Sequence, residues 1–308
     1  MTSSTRVISI TACLLILLGL ITPGAAAEGG SVQQAVKITA ALGGFEVVTA
    51  STPNDNSTPK VINAQCPAGK VIIGGGAHLF GTTTGIALTA SAPNDVANPP
   101  TQWIAQAADT EGFFENWGLQ VDAYCVDANV ITYQLVKAET LNNSTGSKSI
   151  TATCPAGQRL IGGGARITGL IVNEGLVTSA PGGSPQPTTW TASAYEVNSG
   201  AAGDWALEAY AFCSTTSKFG LITASTPTNT ASPKSISLEC QQGGTVLGGG
   251  AGISGVSGNY TLTELYGETA SQWRVSTQKI LQAPANQNWN LSGYAFCIYH
   301  TYTPIIIK

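Results

Sequence analysis

With 308 residues, only 10% of them charged, and a formal net charge of −4, this chain lacks the basic stripe that nucleic acid or an anionic membrane surface would require. An ordinary soluble domain is about a quarter charged; here Gly, Ser, Thr, Asn and Ala are abundant instead, so a surface of hydroxyls and amides is expected. The length alone permits one to three domains.

Arg6 precedes an apolar run from Val7 to Ile21, and Pro23, Gly24 and Ala25-Ala26-Ala27 follow it. A positive charge, a short apolar core and small residues in that order read as a secretory signal peptide over residues 1–27, cut after Ala27. The run is short for a membrane span and no second one follows, so no transmembrane segment is expected in the mature chain. Ile10-Thr11-Ala12-Cys13 superficially resembles a lipoprotein box, but most of the apolar stretch lies after the cysteine rather than before it. Without Arg6 the mature chain keeps 12 of the 13 basic residues and all 17 acidic ones, about −5 net. Residues 28–43, rich in Gly, Ala and Gln, read as a lead-in segment.

The rest is one unit written three times, over 44–130, 131–217 and 218–300, with a tail at 301–308. Cys66-Pro67-Ala68-Gly69 through Gly74-Gly75-Gly76-Ala77 returns as Cys154-Pro155-Ala156-Gly157 through Gly162-Gly163-Gly164-Ala165. A third copy, Cys240 to Ala251, keeps the cysteine, the triple glycine and the alanine. Copies one and three also share Thr-Ala-Ser-Thr-Pro openings at 49–53 and 223–227 and a Pro-Lys pair that follows; copy two has Leu141 where they have proline. Every tryptophan belongs to the repeat: Trp103, Trp190 and Trp273 form one set, and Trp117, Trp205 and Trp289 another.

Turn-forming clusters divide each copy into about six short runs rich in Val, Ile, Thr and aromatics, the strand signal. In copy one these are 45–51, 60–66, 70–80, 86–91, 102–108 and 117–125. No useful helical period is found, and the class is all-β. In the last strand, alternation puts Trp117, Leu119, Val121, Ala123 and Cys125 on one face, with the same parity in copies two and three. The other face ends in Tyr124, Phe212 or Phe296, so this strand end is expected to be covered on both sides, with the copies packed together. Glycine inside a strand leaves volume to fill. The two tryptophan sets alternate in phase with small residues (Trp103, Ala105, Ala107; Trp190, Ala192, Ala194), which predicts that an indole of the same copy lies over each Gly triplet.

Of seven cysteines, Cys13 leaves with the signal, and six remain in an oxidising setting. Two fall in each copy, 59, 59 and 57 positions apart, which predicts Cys66–Cys125, Cys154–Cys213 and Cys240–Cys297. Loops of this size are worth about 4 kcal/mol each in the chain-entropy account. No Cys-x-x-Cys pair or histidine partner suggests zinc, and neither metal nor cofactor is expected.

Cys-Pro-x-Gly, Gly-Gly-Gly-Ala, a Trp strand and a closing Ala-Tyr-Ala-Phe-Cys together resemble a repeat of exported bacterial proteins of unassigned role, over residues 45 to 298. The chain also resembles, more weakly, the vitelline membrane outer layer protein, a pseudo-threefold β-prism with Cys-Pro-x-Gly segments and closing strands that end in Cys. That resemblance implies three sheets in a threefold arrangement and an extracellular coat or glycan-associated role. It supplies no catalytic residues.

Catalytic chemistry finds little to work with. His78 becomes Arg166 and Gly252 in the other copies, and His300 lies in the tail; no Gly-x-Ser-x-Gly is present. His78 reads as an exposed strand residue. Asp109, Glu111, Glu115 and Asp122 are the densest acids, but the first three occupy one predicted loop, and the other copies offer only Glu196, Asp204 and Glu208 or Glu264 and Glu268, so a solvated turn explains them better than a glycosidase pair. Asn54-Asp55-Asn56 and Asn94-Asp95 are turn formers without the spacing of a calcium loop. The glycine triplets have no Lys-Ser/Thr after them and cradle no phosphate. Asn56, Asn142, Asn143, Asn259 and Asn290 begin Asn-x-Ser/Thr sites that matter only in a eukaryotic secretory pathway.

The sequence therefore points to an exported, non-enzymatic β-repeat protein with three pseudo-equivalent antiparallel repeats of about 86 residues. They form a pseudo-threefold prism or a compact row. A structural or adhesive role is expected at the cell surface or in an extracellular matrix. The alternatives are a lectin-like binder and a secreted glycan hydrolase with one active copy. Partners would be an extracellular glycan or cell-envelope component, or further copies of the chain through exposed strand edges.

Overall fold

The computed structural model describes residues 32–37, 42–94, 97–112, 115–169, 171–183, 186–197, 203–216, 218–255, 259–280 and 287–299. The expected signal peptide, the tail, Asp95 and His300 lie outside them. Among the described residues there are nineteen strands, one 3₁₀ turn at Gln241–Gly243 and no α-helix. Strand β1 (Val32–Lys37) belongs to the lead-in. Repeat 1 forms β2 (Glu46–Ser51), β3 (Lys60–Gln65), β4 (Lys70–Gly81), β5 (Ile86–Pro93), β6 (Gln102–Asp109) and β7 (Trp117–Asp127). Repeat 2 forms β8 (Gln134–Glu139), β9 (Ser147–Thr153), β10 (Arg159–Gly169), β11 (Glu174–Gly182), β12 (Thr189–Glu196) and β13 (Trp205–Ser214). Repeat 3 forms β14 (Phe219–Ser225), β15 (Lys234–Glu239), β16 (Thr245–Ser254), β17 (Tyr260–Gly267), β18 (Gln272–Lys279) and β19 (Asn290–Ile298).

The six runs expected in each copy are six strands, but they do not share a sheet. Sheet A runs β1-β2-β7-β4-β17-β18-β15 and joins repeats 1 and 3. Sheet B, β3-β6-β5-β10-β13-β8, joins repeats 1 and 2; sheet C, β14-β19-β16-β11-β12-β9, joins repeats 3 and 2. Each repeat gives three strands to one sheet and three to the next, so the exchange closes in a ring around a pseudo-threefold axis. The three repeats are therefore interlocked through shared sheets and do not hang as separate beads. Inside each sheet the two repeats meet at a seam of two residue pairs: His78 with Glu264 and Ala77 with Leu265 in A, Ala165 with Ser91 and Arg166 with Ala90 in B, and Thr178 with Gly252 and Ser179 with Ala251 in C.

The glycine triplets make those seams possible. Ahead of each triplet the register slips by one residue, so Ile73, Ile161 and Leu247 are bulged. A Cβ on the middle glycine would stand 2.4 Å from the Trp103 ring at Gly75, 2.2 Å from Trp190 at Gly163 and 2.5 Å from Trp273 at Gly249. The expected indole of the same repeat covers each triplet. A Cβ on the third glycine would strike the neighbouring repeat's backbone: Leu265 O at 2.5 Å from Gly76, Ser91 O at 2.6 Å from Gly164, and Ser179 O at 2.2 Å from Gly250. At the first position, Gly74 leaves room for the Leu247 carbonyl, 2.0 Å from where its Cβ would be.

All six indoles are at most 1% exposed. Trp103 and Trp190 donate Nε1–H to Ser91 and Ser179 Oγ at 3.1 Å. In repeat 3 Leu265 holds the equivalent place, and Trp273 Nε1 has no partner.

Cys66–Cys125, Cys154–Cys213 and Cys240–Cys297 are bonded as expected. The first cysteine of each pair follows the last residue of β3, β9 or β15, and the second lies in β7, β13 or β19. Each bridge therefore ties together the two sheets to which its repeat contributes. The lead-in differs from expectation: β1 pairs antiparallel with β2 over six residues and adds a seventh strand to sheet A, covering the edge of β2, whereas the matching strands β8 and β14 are edge strands of sheets B and C.

Candidate functional site

Three lysines at one repeat position are buried, against the habit of this residue: Lys60, Lys148 and Lys234 are 4%, 8% and 6% exposed. Each Nζ lies over an indole of the second tryptophan set, 4.9 Å from the Trp117 ring centre, 4.7 Å from Trp205 and 4.6 Å from Trp289. The ammonium donates to a carbonyl seven residues earlier, Pro53 O at 3.4 Å, Leu141 O at 3.2 Å or Pro227 O at 2.8 Å. It also donates to the side-chain oxygen of Asp55, Asn143 or Asn229. That Asx residue is bridged to the same tryptophan by a pair of backbone hydrogen bonds, at 3.0 to 3.2 Å in all three repeats. Lys60, followed by Ser57, holds the Asp55 carboxyl far below the usual range, and burial lowers Lys234. These clips pin the loop after β2, β8 or β14 onto the start of β7, β13 or β19. They are structural, and the sequence announces them only as three aligned lysines in a chain with 13 basic residues.

The acids do not converge. Asp109 ends β6 in sheet B and accepts the backbone N–H groups of Glu111 and Gly112, a turn as expected. Asp122 lies in β7 of sheet A. Glu196 accepts Trp205 Nε1–H at 2.9 Å; Glu208 accepts Lys137 and Tyr210 at 2.6 Å; Glu264 and Glu268 receive Arg274. The Asn54-Asp55-Asn56 turn closes through Asp55, which accepts from Ser57 N at 3.0 Å. Asn56 and Asn142 are exposed, and Asn143, Asn259 and Asn290 half-buried. Among the described residues no three His, Cys, Asp or Glu are grouped to hold a metal ion.

His78 is half-buried rather than exposed. Its ring centre is 4.2 Å from Tyr266 across the sheet A seam and 6.5 Å from Phe80, and Nδ1 finds no partner. Burial lowers its pKa, with Glu264 opposing.

Two open grooves of about 220 Å³ lie at pseudo-equivalent places, where a strand pair of one repeat meets a turn of another. The sheet C groove is floored by Phe219, Leu221 and Phe296 and rimmed by Arg159, Gln186 and Thr216. The sheet A groove is floored by Phe45, Val47 and Tyr124 and rimmed by Thr49, Gln120 and Asp122, with Gly267, Thr269 and Ala270 opposite. In repeat 2 the residue matching Phe45 and Phe219 is Tyr133, whose hydroxyl donates to Ile72 O at 2.6 Å and whose ring packs edge-on against Phe212. That phenol occupies the third place.

No family model matches this sequence, and no curated protein matches it. The grooves have to be read from their own chemistry.

Asp122 is the sheet A groove's charged group. Its carboxyl is 4% exposed, and Oδ1 accepts Thr49 Oγ1–H at 2.7 Å and Gln120 Nε2–H at 3.3 Å. Burial outweighs these two bonds and pushes its pKa up to about 6. Beside it, Tyr124 Oη accepts the N–H of Gly267 at 2.8 Å, which fixes the ring against the turn of repeat 3. Sequence order grouped Asp122 with Asp109, Glu111 and Glu115. Strand parity assigns it instead to the outward face, two residues from Gln120 and Tyr124.

Proposed function

We propose that this chain is an exported, disulfide-stapled scaffold with a structural or adhesive role at the cell surface or in an extracellular matrix. The observation that carries the reading is the use of all six indoles as interior framework: three fill the glycine triplets, and three sit under buried lysines. What recurs three times is therefore devoted to holding sheets together. Three disulfides, and the absence among the described residues of a helix able to cross a membrane, are compatible with an extracellular place. A coat-like role is in keeping with three repeats that interlock through shared sheets. Deleting the chain from its source cell and measuring surface attachment and envelope integrity tests this: both should fall, with the protein recovered outside the cytoplasm. Unchanged attachment and integrity, or a cytoplasmic pool with free thiols, would overturn it.

A second reading, carbohydrate binding, is favoured by the two open grooves. Each combines an aromatic floor with amide, hydroxyl and charged rims, the composition of a small polar-ligand site. Titration of the mature chain with neutral monosaccharides tests it, through shifts confined to residues of those grooves.

A further inference from the structure

Asp122 is a buried carboxylate without a cation. Most other well-buried ionisable side chains have a compensating partner: Lys60 has Asp55, Lys148 and Lys234 have amide and carbonyl oxygens, and Glu208 has Lys137. Glu174 also lacks a cation, with the backbone N–H groups of Val172 and Asn173 on Oε2 and no partner on Oε1, but it lines neither groove. Asp122 accepts two neutral hydrogen bonds, both on Oδ1. No hydrogen bond reaches Oδ2 from any described residue, and the carboxyl lines an open groove.

Repeat 2 shows what belongs there. Thr49 on β2 stands directly opposite Asp122 on β7; the matching pair in sheet B is Lys137 opposite Tyr210. There the Lys137 ammonium sits 2.6 Å from the carboxylate of Glu208, two residues along the strand, and 6.0 Å from the centre of the Tyr210 ring. Repeat 1 has moved the acid to the tyrosine's place, put the amide of Gln120 at the glutamate's, and replaced the lysine by Thr49. The acid remains and its ammonium is gone. Repeat 3 has Thr223 opposite Tyr294 and no acid at either place, so one such site exists per chain.

We propose that the sheet A groove is a binding site for a hexosamine unit bearing a free ammonium group. The ammonium would sit at Asp122 Oδ2, playing toward this acid the part that Lys137 Nζ plays toward Glu208 in repeat 2, and the ring would lie over the groove's apolar floor. A volume of about 220 Å³ is small beside the ~300–1,000 Å³ of drug-sized sites and suits a single sugar ring. The rim favours a polyhydroxylated ring over a slender alkylamine, because Thr49, Gln120 and Thr269 offer hydroxyl and amide partners around the carboxylate. The raised pKa of Asp122 agrees with a carboxylate whose counter-charge comes from outside. This inference shares with the second reading the premise that the groove takes a sugar ring, and adds the charge.

The test is a titration of the oxidised mature chain at pH 7.5 with glucosamine, N-acetylglucosamine, glucose and Nα-acetyl-lysinamide, followed by amide chemical shifts and calorimetry. Glucosamine should bind at least tenfold tighter than the two neutral sugars, with shifts centred on Thr49, Gln120 and Gly267. Asp122→Asn should remove that preference, and so should Thr49→Lys, which supplies an internal ammonium while keeping the acid. Lowering the pH to 4.5 should also abolish it. Equal binding of all three sugars would overturn the ammonium site while leaving the carbohydrate reading standing. Neutral sugars that bind while glucosamine does not would do the same. Glucosamine binding unchanged in both variants, or no binding of any sugar, would overturn the site outright. Nα-acetyl-lysinamide binding as tightly as glucosamine would overturn the hexosamine assignment in favour of a lysine-bearing protein partner.

Discussion

A Cβ built on Gly163 would stand 2.2 Å from Cδ2 of Trp190, closer than any real side-chain contact. The indole occupies the space that the absent side chain leaves, and the same relation holds at Gly75 with Trp103 and Gly249 with Trp273. Because Tyr210 O is also only 2.4 Å away, neither ring nor backbone can yield cheaply. Gly163→Ala should cost about 1–3 kcal/mol by overpacking, read as a lower urea midpoint at unchanged slope. Gly252→Ala is the control: its Cβ would meet Thr178 at an ordinary 3.5 Å, and its counterparts are His78 and Arg166, so it should shift stability by no more than about 0.5 kcal/mol.

Removing one lysine clip should be as costly as a core defect. Lys148→Met keeps most of the stem but loses the ammonium over Trp205, removes the ammonium's bond to Leu141 O and leaves Asn143 Oδ1 with only the Thr145 N–H. A desolvated cation–π contact of about 2 kcal/mol and hydrogen bonds of about 1 kcal/mol each give an expected loss of about 2–4 kcal/mol. Exposed Lys218→Met should be nearly neutral. Comparable thermal midpoints for the two variants would show that the clips carry no stability.

The sulfur bridges should matter through the joints between sheets. Replacing Cys154 and Cys213 together by alanine opens a 59-residue separation and unties sheet B from sheet C, for an expected loss of about 4 kcal/mol. Differential scanning calorimetry with and without reductant checks it: the variant should melt lower than the oxidised parent.

Asp122 gives stability a pH dependence of defined sign. Its folded pKa of about 6 lies above the ordinary carboxylate value of 3.8, so between those limits the native state holds more proton than the unfolded chain. Stability therefore falls as pH rises through that window, by about 2–3 kcal/mol in total. In Asp122→Asn this component should vanish, so the difference in urea midpoint between parent and variant should change between pH 4 and 6 and be flat above it. Asp55 acts oppositely: Lys60 and Ser57 depress its pKa, so its contribution is present at neutral pH and is lost as pH falls below the ordinary carboxylate value.

Much of this was legible in the sequence because alternation and repetition report which way a side chain faces. Trp117 through Cys125 revealed the inward face of β7, and glycines missing three side chains in a row required something large above them. Cysteine spacing, repeated three times, left one simple pairing. Alternation does not say which strand lies beside which, so the division of each repeat between two sheets was hidden; seams of two residue pairs leave almost no trace in composition. Strand β1 was missed because its Gln and Ala residues carry no strong apolar signal, although the open edge of β2 needs only a partner's backbone. The lysine clips use main-chain carbonyls, which no side-chain pattern shows. The peculiarity of Asp122 emerged only when Thr49 was found opposite it and Lys137 opposite Tyr210.

The central structural claim, that repeats interlock across seams, is tested most directly at His78 and Glu264, which face each other on the outer side of sheet A from repeats 1 and 3. Directly opposed strand residues have Cβ atoms about 4.5–5.5 Å apart, near the reach of a disulfide. The doubly substituted chain His78→Cys/Glu264→Cys, oxidised and mapped by mass spectrometry, should contain a 78–264 link in the monomer alongside the three native bridges. A folded monomer with native bridges and two free thiols at 78 and 264 would contradict the interlocked sheets.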